Sequence, residues 1–70
     1  MLKSTQQDAE TLEALIDRVG AEETLNLIAA ICASKAEHVR ASYNDRQTAR
    51  AWDQVGAAVS EVADFAQLVS

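Results

Sequence analysis

The chain has no proline, two glycines, one cysteine, one histidine and one each of Trp, Tyr and Phe among its 70 residues. Each scarcity excludes something. A single cysteine, Cys32, rules out a disulfide within the chain. One Cys and one His cannot supply the usual four Cys/His ligands of a structural zinc site. Without proline there is no enforced helix break, and the Ala-, Leu-, Glu- and Gln-rich remainder favours helix. No segment alternates apolar and polar residues with the β-branched and aromatic richness of a strand. No run approaches the roughly 20 apolar residues of a membrane span. The opening, MLKSTQQDAE, lacks the apolar stretch of a signal peptide. Positive charge is also scarce, with six Lys and Arg against eleven acids and a net charge of −5. A general phosphate-backbone binder needs the opposite balance, so nonspecific nucleic-acid binding is not expected. These features lead us to expect a soluble, cytoplasmic protein without cofactor or metal.

What is present reads as a single all-α domain over residues 1–70, with three helices at about 5–19, 22–42 and 45–68. The first helix starts near Ser4 or Thr5, where Ser4 and Gln7 have capping-box spacing. Leu12, Leu15, Ile16 and Val19 then repeat at i, i+3, i+4, i+7, and Gly20 follows as a C-cap. The second helix carries a stripe of Leu25, Ile28, Cys32, Ala36, Val39 and Tyr43, widened by Leu27 and Ile31. An apolar arc that broad calls for neighbours on more than one side. Asn44 or Asp45 is the natural N-cap of the third helix. There Trp52, Val55, Val59, Val62, Ala66 and Val69 line one face, with Ala58, Phe65 and Ala63 beside them, and Gly56 inside the pattern either marks a close helix crossing or is tolerated without a role. Cys32, within LIAAICA, reads as a small buried hydrophobe; the alternative is a reactive thiol activated by Lys35.

Three such helices make either a small bundle or a helical hairpin with a short first helix packed across it. A chain this short buries only about 60% of its unfolded surface, so the core is thin. That, with the broad apolar face of the second helix, predicts dimerisation, and two hairpins would form a four-helix core.

The polar run SKAEHVRASYND, residues 34–45, is the candidate site. Four of the six basic residues and the only His fall between positions 35 and 50. One reading is structural: cations at a helix C-terminus, a cap, and two amphipathic aromatics closing the end of the core, with Arg50 pairing with Asp53 or Glu37. The other is a recognition surface for a protein partner, formed by Lys35, His38, Arg40, Arg46 and Arg50, with Tyr43 or Trp52 as an aromatic anchor. Catalysis would rest on His38 with Glu37, but adjacent helical positions point about 100° apart. We therefore expect no enzyme. The expected role is a noncatalytic protein-interaction or assembly module that binds a macromolecular partner through the end where the second helix meets the third. An alternative of a different class is an acidic inhibitor or nucleic-acid mimic of phage type, using Glu10, Glu13, Asp17, Glu22 and Glu23.

The run KAEHVRASYND followed by ARAW resembles a motif of small uncharacterised helical proteins of bacteria and their prophages. That pattern reads Glu-Lys-Ala-Glu-His-Ile-Arg, one variable residue, Asn-Trp-Gln-Asp, and later Ala-Lys-x-Trp or Ala-Arg-x-Trp. Lys35, Ala36, Glu37, His38, Arg40 and Asp45 match it, as do Ala49, Arg50 and Trp52. Ser34, Val39, Ser42, Tyr43 and Asn44 depart from it. The resemblance implies no activity.

Overall fold

A computed structural model describes residues 5–69. It contains three helices, α1 (Gln6–Val19), α2 (Ala21–Tyr43) and α3 (Arg46–Ala66), and a closing 3₁₀ turn at Gln67–Val69. Each boundary has a local cause. At the start of α1 the capping box is formed by Thr5 and Asp8. The Asp8 N–H donates to Thr5 Oγ1 at 3.2 Å, and the Thr5 N–H donates to Asp8 Oδ2 at 2.9 Å. Ser4, the other candidate cap, lies outside the described residues. The carboxylate of Asp8 is also a stronger acceptor than the Gln7 amide, and it faces the positive end of the helix dipole.

Gly20 alone joins α1 to α2. Its N–H donates to Ile16 O at 2.7 Å and ends one helix; its carbonyl accepts from Thr24 N and Thr24 Oγ1 and begins the next. The backbone there has φ 91° and ψ 159°, a region essentially restricted to glycine. The second junction is Asn44-Asp45. Asn44 adopts the left-handed conformation, φ 52° and ψ 34°, which asparagine tolerates better than most residues. Asp45 caps α3.

The hairpin of α2 and α3 holds almost all of the tertiary packing. Its buried side is made of small residues: Cys32 and Ala36 on α2; Ala49, Gly56, Ala63 and Ala66 on α3. Ala49, Gly56 and Ala63 are seven residues apart, and half-buried Trp52 and Val59 fall between them. That 3–4 spacing is the seam of a coiled coil. The face expected for α3 from Trp52, Val55, Val59, Val62, Ala66 and Val69 is therefore rotated in part. Trp52, Val59 and Ala66 face inward, while Val55, Val62 and Val69 are exposed. On α2, Tyr43 likewise leaves the expected stripe and is exposed. The physical reason is distance between axes. A Cβ built on Gly56 would stand 3.1 Å from Cys32 Cβ and 3.5 Å from the Ala29 carbonyl oxygen. At that separation there is room for methyl groups and not for valine or leucine.

No Cα of α1 comes within 8 Å of one in α3, so the short first helix packs on α2 alone. Leu15 is half-buried, whereas Leu12, Ile16 and Val19 remain exposed. The resulting body measures 37 × 28 × 14 Å.

If the Gly56 contact sets the helix separation, adding atoms there will not stabilise the helix in the ordinary way. Gly56→Ala should fail to deliver the usual gain of about 1 kcal/mol in a helix interior. Gly56→Leu should lower stability by about 1–3 kcal/mol through overpacking. Chemical denaturation checks both, and a full gain for the alanine variant would show that the helices are not in close contact.

Candidate functional site

The α2–α3 turn gathers the polar residues singled out from sequence, but it distributes them over different sides. Arg40, in the last turn of α2, reaches across to α3, where Nη2 donates to Asp53 Oδ2 at 2.8 Å. Its Nη1 also meets Glu37 Oε2 at 3.2 Å. The pairing expected for Arg50 with Asp53 or Glu37 is thus made by Arg40 instead. Arg40 is better placed because its guanidinium sits between both acids at once. Asp53 was not among the sequence candidates for the site; its role emerges only when α3 folds back against α2.

Beside this ion pair, Arg40, Asn44, Arg46, Gln47, Arg50 and Asp53 line one open groove. Arg46 and Arg50 have no acidic partner among the described residues. Lys35 and His38 do not join them. At about 100° per residue, His38 lies roughly 200° around α2 from Arg40, on the other side of the helix. The His38 ring meets the edge of Tyr43 with centroids 5.8 Å apart and planes at 78°. Trp52 is half-buried and lines a separate, smaller recess with Thr48, Ala51 and Val55. The seven sequence candidates therefore form an arginine groove, a His38–Tyr43 edge with Lys35 nearby, and a Trp52 recess.

Asp45 holds the start of α3. Its Oδ1 accepts from the Thr48 N–H at 3.0 Å and its Oδ2 from the Thr48 hydroxyl at 2.7 Å. The Thr48 backbone donor, then the Thr48 hydroxyl, hold the Asp45 carboxyl below the usual aspartate range, with the Gln47 N–H adding to them against a small effect of burial. Cys32 is a buried free thiol in the small-residue seam. Among the described residues no three His, Cys, Asp or Glu side chains are grouped closely enough to hold a metal ion. No described helix is long and apolar enough to cross a membrane.

Comparison with protein-family models, with curated proteins and with solved structures finds no match for this chain.

The capping carboxylate gives a pH test. Its pKa is depressed on folding, so the stability it contributes is present above the unfolded aspartate value of about 3.9 and lost as pH falls through the lower folded value. Asp45→Ala should therefore melt below wild type at pH 7, and the gap should close in that acidic window. A gap that is constant from pH 7 to pH 3 would mean that Asp45 acts otherwise than through its charge.

Proposed function

We propose that the protein is a noncatalytic interaction and assembly module, that it works as a homo-oligomer, and that it binds a macromolecular partner through the α2–α3 end. The observation that carries this reading is the placement of Arg46 and Arg50. Arg46 is the first residue of α3, at the positive end of its dipole, where cations are unfavourable, and Arg50 stands one turn further on. They are also four residues apart, so the like charges repel along one helix face. No acid occupies the first turn of α3, and Asp45 is engaged by Thr48. Two local rules of helix stability are broken with no ion-pair partner among the described residues, which is the pattern expected of residues kept for a contact with something else. Arginine suits that task, since its planar fork pairs with carboxylates and phosphates. Asn44 and Gln47 add neutral hydrogen-bonding groups to the same groove.

Two observations favour binding over catalysis. Glu37 is bonded to Arg40 and is not placed to orient the His38 ring. His38 itself is exposed beside Tyr43 and lines none of the recesses described above.

Replacing Arg46 and Arg50 together by Gln should raise helix stability by about 0.2–0.5 kcal/mol, by removing the like-charge pair. The same variant should lose the partner that wild type retains when both are used for affinity capture from extract of the native host, read by mass spectrometry. Capture of the same partner by both proteins would refute the arginine groove as the binding site.

A further inference from the structure

The hairpin carries a second coiled-coil seam that faces outward. On α3, beside the inward-facing line of Ala49, Trp52, Gly56, Val59 and Ala63, runs a parallel line of Ala51, Val55, Ala58, Val62 and Phe65. It has the same alternating spacing of four and three residues. None of these five is charged and all are exposed, Val62 at 52% and Phe65 at 74%. A single seam is enough for two helices; a helix with two adjacent seams is built to touch two neighbours.

The matching side of α2 can be located from the ion pair. Arg40 and Asp53 meet on one face of the hairpin. Ile31 lies nine residues before Arg40 and Val62 nine residues after Asp53. Nine residues make two and a half turns, so both side chains point to the opposite face. Leu27 and Ile31, exposed at 41% and 55%, extend the α3 seam into one apolar surface.

The missing area matches a second copy. The chain exposes 5708 Å². A folded monomer of 7.5 kDa exposes about 4,200 Å², so the excess is roughly 1,500 Å². A standard interface removes about 800 Å² from each partner, and permanent dimers remove more. The distribution of charge selects the orientation. Residues 8–23 hold six acids and one Arg, whereas residues 35–50 hold four Lys and Arg and two acids. Hairpins placed with their turns together would stack two basic ends. Placed with turns at opposite ends, each basic end lies beside the acidic α1 end of the other copy.

We infer that this outward face is covered by the same face of a second copy, with the hairpins antiparallel and α3 packed on its symmetry mate about Ala58. Ala58 is the midpoint of the seam, seven residues from both Ala51 and Phe65. The inference rests on the reading as an assembly module and names the surface that assembles. The face lies on the other side of the hairpin from Arg40 and Asp53, so dimerisation leaves that ion pair uncovered.

Sedimentation equilibrium of the full chain should give twice the mass of 7.5 kDa for wild type and the single-chain mass for Val62→Glu, with both proteins equally helical by circular dichroism. A wild type of single-chain mass overturns the inference and leaves the face to a different protein. A Val62→Glu variant that keeps the doubled mass places the dimer contact on another surface and overturns it as well. Orientation is read by oxidation: Ala58→Cys should form a disulfide-linked dimer, and Ser60→Cys, about 200° around α3 from it and exposed, should not. Failure of Ala58→Cys to crosslink while wild type is dimeric excludes the antiparallel arrangement. None of these results depends on Arg46 or Arg50, so the partner-binding reading stands or falls on its own experiment.

Discussion

Everything in this structure depends on how closely α2 and α3 approach. The contact between Cys32 and the missing side chain of Gly56 fixes the separation of the two axes. Ala36, Ala49 and Ala63 fit on either side of it because each offers only a methyl group. Such a seam gains from dense packing and little from transfer of apolar area, since a buried methyl(ene) contributes only about 0.8 kcal/mol. The hairpin is therefore specified by geometry more than by hydrophobic mass.

That economy displaces the larger side chains. With the fully buried positions of the inner seam taken by Ala, Gly and Cys, Val55, Val62, Leu27 and Ile31 are carried to exposed flanks. No large side chain is fully buried among the described residues. With α1 packed on α2 and making no approach to α3, the hairpin does not cover both of its faces with its own chain. The thin core, the exposed seam and the area in excess of a compact monomer are thus three aspects of one cause. The polar features separate from them cleanly, because the Arg40–Asp53 pair occupies the face opposite Ile31 and Val62.

The candidate site was only partly legible in the sequence. Clustering of cations between residues 35 and 50 could be counted, and Asp45 could be recognised as a cap. Two residues of spacing already place His38 and Arg40 about 200° apart on α2; what could not be seen is which of those two sides meets α3. The partnership of Arg40 with Asp53 was hidden for a related reason. It joins two helices, and helical periodicity within one segment carries no information about the other.

The helices and their ends follow from local features of the chain. Absence of proline, the Thr5 cap, Gly20 and the Asn44-Asp45 pair are local features, and backbone hydrogen bonding and steric limits act over only a few residues. The apolar periodicity also announced an amphipathic α3. Tertiary structure decided which of two adjacent heptad lines on α3 became the core. Both lines are apolar and both have coiled-coil spacing, so pattern alone cannot rank them. The choice falls to the line that carries Gly56 because Cys32 and Gly56, each twelve residues from Asn44, come face to face when the chain reverses there. Only a residue without a side chain at that point allows the axes to come that close.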